Sequence, residues 1–472
     1  MLSSTDARPT TPREKALAIN LDARRYGTFA EIGAGQEVVR WFFRVGGAAG
    51  TIAKSISAYD MTVSDAIYGR CERYVCRERL EAMLEYEQRL NLERLAERRS
   101  RESAFFTFAD TVTTRRYDGG GECHGWMGVT FQSHPRDEAS QILLHVRMLD
   151  DDAAAQQEAL GIVGVNLLYG AFSLYTEPEL LIESLLDGLS TKRIEIDMIE
   201  FSGIEFRNVD NRVMSLRLVE LGLTGAAMFS AEGCVLQPSE ALYKRPVLVE
   251  RGSFRPVTHV NVDMLERARA EFSSAHEGEH GTPLALMELN LQKLREEGEL
   301  DLADFVGRAD VLAATGHAVL ISDFYAYARL VAYLRRYTQA PLALVMGAGS
   351  LRALLDEENQ RMFSGGVLES FGRMLTDRTS IYVYPYRDPE TGARVTASNL
   401  GVDGAKAHLG DYLRERGSIR DLEGVGDELL AIWSREVLAQ IRAGTPGWEE
   451  AVPAGVAQVI KEHCFFGYRP AA

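Results

Sequence analysis

The stretch RPVLVERGSFRPVTHVNVDMLERARAEF, residues 245–272, decides how the second half of the chain is read. An apolar, β-branched run over 246–250 stops at Arg251, and Gly252 and Ser253 then supply a tight turn. Asp263 can cap a helix whose apolar positions recur at Met264, Leu265, Ala268 and Phe272. Strand, glycine turn and helix in this order aim backbone N–H groups at whatever lies beyond the strand end, a place that suits a phosphate.

Working outward, strand and helix patterns alternate. Strands are expected at 246–250, 284–289, 317–323, 342–346 and 380–385, and helices at 263–272, 302–315, 325–337, 350–358 and 368–375. Such alternation predicts an α/β domain with a doubly wound, Rossmann-like parallel sheet. Ligands of these sheets sit beyond the carboxyl ends of the strands, where 252–258 would lie. The first half reads as α+β instead. Three consecutive strands at 104–113, 126–132 and 141–149 predict an antiparallel meander, followed by helices at 153–174 and 177–189 and a strand at 193–201. The organisation expected is therefore an α+β domain over 1–245, the α/β domain over 246–422 and a helical extension over 423–472.

Length and charge bound what the chain can do. At 472 residues it has material for two or three domains, and 46% hydrophobic content can fill their cores. A net charge of −16 argues against a nucleic-acid partner, which needs a basic surface. No apolar run approaches the ~18 residues of a membrane span, and the polar first fifteen residues lack a secretory core, so no membrane partner and a cytoplasmic location are expected. Five scattered cysteines read as reduced and simply packed.

Three features of the first half invite functional readings. Gly33-Ala34-Gly35 and Gly50 with Lys54-Ser55 resemble phosphate cradles, but the lysine stands too far from its glycine and no third glycine follows, so close backbone packing is the reading adopted. Residues 72–102 carry eight Glu and eight Arg in 31 positions, which predicts a long charged helix, either covering a sheet or joining a homo-oligomer. His124, His134 and His145 do not have ligand spacing, so no protein-bound metal is expected and they read as unrelated.

Over residues 246–422 the chain resembles the nucleotidylyltransferases, in particular the nicotinate and nicotinamide mononucleotide adenylyltransferases. Their first strand runs into a turn with Gly, Phe, Pro and Thr or His in fixed order, closed by Gly-His. Gly252, Ser253, Phe254, Pro256 and Thr258 fit, whereas Val260 and Asn261 stand where the closing pair would be. The strand VLISD at 319–323 and the turn Gly347-Ala348-Gly349-Ser350-Leu351 are similar to later pieces of the family, with Gly349 in place of its acidic residue. The family's second phosphate motif finds its nearest counterpart at 395–400, without the arginine; Lys406 would replace it only from the first turn of the next helix.

The resemblance implies ATP or a pyridine mononucleotide as partner, Mg²⁺ as cofactor, and direct attack of a phosphate on the α-phosphorus of ATP. It implies Thr258 and Asn261 as catalytic, and Gly252, Ser253, Phe254, Gly347, Ser350, Asn399 and Lys406 as nucleotide-binding. Asn261 for histidine exchanges a charge-assisted bond for a neutral one, a loss of ~10²–10³ in rate. The alternative is a non-catalytic scaffold or regulatory protein on a degenerate form of the same fold. Over its whole length the chain also resembles a widespread bacterial family labelled both as an adenylyltransferase and as an outer-membrane TonB-dependent receptor. The second label conflicts with the absence of a long series of alternating strands.

Overall fold

Six strands in the first half pair as one mixed sheet: β1 (Arg25–Gly33), β2 (Ile52–Ile56), β3 (Ala104–Thr113), β4 (His124–Phe131), β5 (Ser140–Met148) and β6 (Ile194–Gly203), in the order β2-β1-β3-β4-β5-β6. The computed structural model describes residues 8–116, 118, 120–276, 281–296, 301–376 and 378–470. The chain divides into two compact units, Met1–Thr224 and Gly225–Ala472. β3 to β5 form the expected antiparallel meander, β6 pairs antiparallel beside β5, and β1 and β2 run parallel beside β3.

Strand alternation gives the first sheet two different faces. Phe29, Phe106, Phe108, Met127 and Ile142 project into an apolar core completed by the helices Val38–Val45 and Ala153–Ser173. The other face is covered by the helix Arg77–Arg99, whose inward stripe is apolar at Leu80, Met83 and Leu84 and polar at Glu87, Gln88 and Asn91. That polar half is answered from below: Thr28 donates to Asn91 at 2.8 Å, Thr107 to Gln88 at 2.9 Å and the Tyr68 hydroxyl to Glu87 at 2.9 Å. Gly35 sits so close over β3 that a Cβ there would lie 1.9 Å from Asp110 Oδ1, which gives the glycine-rich segment its packing role.

The second unit carries the parallel sheet. Its strands are β7 (Ala226–Phe229), β8 (Val235–Leu236), β9 (Val247–Arg251), β10 (Leu284–Asn290), β11 (Ala318–Ser322), β12 (Leu342–Gly347) and β13 (Thr379–Tyr384), with a hairpin of β14 (Tyr386–Arg387) and β15 (Arg394–Val395), then β16 (Ile419–Asp421). The sheet order is β16-β13-β12-β9-β10-β11-β7-β8. From β16 to β11 every pair is parallel; β7 and β8 then close one edge antiparallel. Counted along the chain, the six parallel strands stand in the order 3-2-1-4-5-6, that of a doubly wound, Rossmann-like sheet. The order reverses at β9, which makes its carboxyl end the switch point.

Among the helix boundaries that differ from expectation, one bears on the site. The helix after β9 runs His259–Ala275 and starts at Thr258, one turn before Asp263. Asp263 instead pairs with Arg267 at 2.6 Å and accepts the Tyr384 hydroxyl at 2.7 Å. Among the described residues no helix is long and apolar enough to cross a membrane.

Candidate functional site

β9 ends in two residues with opposite duties. Glu250 points to the face of the helix His259–Ala275 and Arg251 to the other, as period-two alternation requires. The Arg251 side chain is 1% exposed and makes a two-pronged ion pair with Glu288 of β10, at 2.8 and 2.7 Å. Its guanidinium also donates to the Phe324 and Tyr325 carbonyls at 2.8 and 2.7 Å and lies 4.3 Å from the Tyr327 ring centre. Burial works against the guanidinium charge, but Glu288 outweighs it and holds the group above its ordinary range.

The turn beyond β9 is fixed by its own side chains. The Phe254 ring folds back over Gly252, where a Cβ would stand 2.7 Å from it, so only glycine fits without displacing the ring. Arg308 donates to the Ser253 carbonyl at 2.7 Å, and Asp304 pairs with both Arg255 and Arg308 at 2.7 Å. Thr258 is buried at the helix start, where Asn261 Oδ1 accepts from its N–H at 3.0 Å and its hydroxyl at 3.1 Å. Asn261 Nδ2 donates to Glu250 Oε1 at 2.8 Å. Burial pushes the Glu250 carboxyl up to about 8, against the smaller downward pull of Asn261, and its second oxygen has no hydrogen-bond partner among the described residues.

Two cavities open beyond the carboxyl ends of the strands. One, of about 590 Å³, is lined by Gly252, Ser253 and Arg255 after β9, by Asn290, Lys293 and Glu296 after β10, and by Arg435 of the helix Ser434–Ala443. The other, of about 290 Å³, is lined by Arg251, Tyr325 and Tyr327 and by Ser350 of the helix Ala348–Leu354. They share Lys293 and Glu296 and so lie side by side along the switch point. Asn290 is held by Ser322 and the Phe324 carbonyl, and its Oδ1 accepts from the Lys293 N–H at 3.1 Å. Neither the Lys293 ammonium nor the Arg435 guanidinium has a hydrogen-bond or ion-pair partner among the described residues. Lys293 as a whole is solvent-exposed, yet its ammonium is drawn below the ordinary lysine range, first by burial of that end and then by the Arg251 charge.

Of the residues singled out from the sequence, Gly252, Ser253 and Ser350 line this groove. Phe254, Thr258 and Asn261 turn inward and support the strand end. Gly347 ends β12 with open space around it, one turn before Ser350. Asn399 closes a local turn, accepting from the Thr396 N–H and donating to the Arg394 carbonyl. Lys406 does stand in the first turn of the helix Ala405–Glu415, where its ammonium pairs with Asp356 at 3.5 Å. Lys293, Glu296 and Arg435 were not singled out. A polar cluster directly after the strand LALMELN was the available signal for the first two; Arg435 had none.

The first unit holds a second polar constellation. His145 Nδ1 lies 2.6 Å from Asp197 Oδ1, and His145 Nε2 lies 3.0 Å from His124 Nδ1. Thus two of the three histidines read as unrelated are joined, while His134 pairs with Asp137. Asp197 is the extra residue of a β-bulge opposite His145 and Val146, and the bulge turns its carboxylate toward the imidazole. With His145 donating from Nδ1, its Nε2 accepts from His124 and leaves His124 Nε2 as a lone pair. Burial first, with the neighbouring His145 next, lowers His124 to about 4, so it is neutral at neutral pH. Among the described residues no group of three or more His, Cys, Asp or Glu could hold a metal ion.

No family model matches the chain, and no curated protein matches it in sequence. Solved structures similar to it include the competence/damage-inducible protein CihA from Agrobacterium tumefaciens, at 15% identity over 35% of this chain and 97% of that one, with a TM-score of 0.25. A competence-damaged protein (CinA) superfamily protein from Enterobacter cloacae matches at 14% identity over 37% and 99%, TM-score 0.27. The Plasmodium falciparum nicotinic acid mononucleotide adenylyltransferase complexed with APC matches at 8% identity over 48% and 100%, TM-score 0.30. Likeness of this degree leaves the fold to be read from the chain's own strand order.

Proposed function

We propose that the second unit binds a nucleotide, with its phosphates in the groove beyond β9 and β10. The observation that carries this is the pair of cations, Lys293 and Arg435, that face one cavity with no carboxylate bound to them among the described residues. The Lys293 ammonium is held below its ordinary range by burial and by the Arg251 charge. A phosphate beside Lys293 and Arg435 supplies the counter-charge. The cavity lies at the switch point, where doubly wound sheets take their ligands, and Tyr325 is an exposed aromatic side chain in the adjoining cavity.

Binding is the stronger reading than adenylyl transfer. For Asn261 to donate to a triphosphate it would have to leave Glu250, and for Thr258 to do so it would have to release the helix start. Mg²⁺ would arrive with the phosphates, since such ions are held by one or two carboxylates plus the substrate, and Glu296 is the carboxylate in the lining of both cavities. A thermal-shift panel with ATP, with ATP and Mg²⁺, with nicotinate and nicotinamide mononucleotides and with NAD tests the proposal. A ligand at 100 times its dissociation constant stabilises by ~2.7 kcal/mol, a rise of a few degrees. A shift with an adenine nucleotide is expected, without pyrophosphate release when a mononucleotide is added; pyrophosphate release would restore the transferase reading, and no shift with any of them would remove both.

A further inference from the structure

Residues 69–76 link the helix Met61–Tyr68 to the helix Arg77–Arg99 and bring two thiols together: Cys71 Sγ and Cys76 Sγ are 3.4 Å apart. The approach is held by a framework. The Tyr74 hydroxyl donates to Asp65 at 3.0 Å, Thr111 Oγ1 donates to the Tyr74 carbonyl, and Arg79 reaches both Asp65 and the Gly69 carbonyl at 2.8 Å while lying 5.3 Å from the Tyr74 ring centre. Between these anchors Cys76 is buried, donating to the Arg73 carbonyl at 2.9 Å and capping its helix by accepting from the Arg79 N–H at 3.4 Å. Cys71 is half-buried.

The geometry points to a dithiol modification site, in which a hydroperoxide converts Cys71 and Cys76 into a disulfide. Cys71, the more accessible sulfur, attacks the peroxide: its S–O bond forms as the O–O bond breaks, giving a sulfenic acid and, from hydrogen peroxide, one water. Cys76 then attacks the Cys71 sulfur; the S–S bond forms, the S–O bond breaks, and the departing hydroxide takes the Cys76 proton as a second water. Two thiols are oxidised and one peroxide is reduced. Burial pushes the Cys76 thiol up to about 12, which keeps it protonated and leaves the first encounter to Cys71. The sequence spacing, four residues between the cysteines, carried no such signal; the turn that folds 71 back onto 76 supplies it.

Peroxide treatment of the full chain, alkylation with iodoacetamide and tryptic digestion without reductant test the site. Trypsin cuts after Arg70, Arg73 and Arg77, so the disulfide joins two separate short peptides, 71–73 and 74–77. The joined pair is expected, with alkylation of both cysteines lowered by about tenfold or more while Cys234 and Cys464, exposed and distant in sequence, acquire no partner. In Cys76→Ser the joined pair is lost and Cys71 runs on to the sulfinic acid. Undiminished alkylation of Cys71 and Cys76, a Cys71 that ends as sulfinic acid in the unsubstituted chain, or linkage of either to Cys123 would overturn the assignment.

Discussion

Glu250→Gln is expected to stabilise the second unit by about 5 kcal/mol at pH 9 and to leave it nearly unchanged at pH 4. The carboxyl is 1% exposed and pushed from an ordinary 4.5 up to about 8, because burial disfavours its charged form more than the Asn261 bond favours it. A raised folded-state value means the folded chain holds a proton that the unfolded chain has released. Stability from this group is therefore complete below pH 4.5 and is lost as pH rises toward 8, at roughly 1.4 kcal/mol per unit. Glutamine keeps an oxygen for Asn261 Nδ2 and has no proton to lose. Denaturant midpoints of both chains from pH 4 to 9 measure the effect, read as the difference between them because Glu31 of the first unit, also pushed up to about 8 by burial, contributes a slope of the same sign. A difference that stays flat with pH would contradict the account of Glu250.

Arg251→Met is expected to destabilise the same unit by about 3–5 kcal/mol, the usual cost of stranding one partner of a buried ion pair. The substitution leaves Glu288 fully buried, with Ser322 as a remaining hydrogen-bond donor, takes the Arg251 donor from the Tyr325 carbonyl and leaves the Phe324 carbonyl to Asn290. The pair links β9 to β10 at the switch point, so loss of ordered Tyr325 and Tyr327 in the smaller cavity accompanies it. Replacing both partners, Arg251→Met with Glu288→Leu, recovers most of the loss, since no unpaired charge remains. Chemical denaturation of the single and double variants separates these outcomes; a double variant as unstable as the single would mean that packing, not the stranded charge, sets the cost.

The alternation of the second half was legible because five of its six parallel strands are buried on both faces and read as short apolar runs: VLVER, LALMELN, AVLIS, LALVMG and TSIYVY fall within a residue of the expected positions, whereas the short, half-exposed β16 was not read. β1 was not, because RYGTFAEIG is broken by a glycine and carries Glu31 into the core, where the Val38 and Val39 N–H groups satisfy it. Strand order was partly legible from alternation, but nothing in the sequence places β7 and β8 on the β11 edge.

The site divides the same way. Gly252, Ser253 and Ser350 were legible from turn chemistry after a strand. Asn261 was singled out only through the resemblance, since the helix was expected to start at Asp263, and its bond to Glu250 was not legible because that depends on which face of β9 the carboxyl takes. The His124–His145 contact depends on the β4–β5 register, which spacing alone does not set.

Calorimetric titration of the full chain with ATP, set beside the double variant Lys293→Ala, Arg435→Ala, tests nucleotide binding in the groove most directly. Each cation contributes ~1.5–3 kcal/mol to a bound phosphate, so the variant is expected to bind about a hundredfold more weakly or worse, with a melting temperature in the absence of ligand no lower than that of the unsubstituted chain. Equal affinity in the two chains, or no heat from the unsubstituted one, would contradict the account.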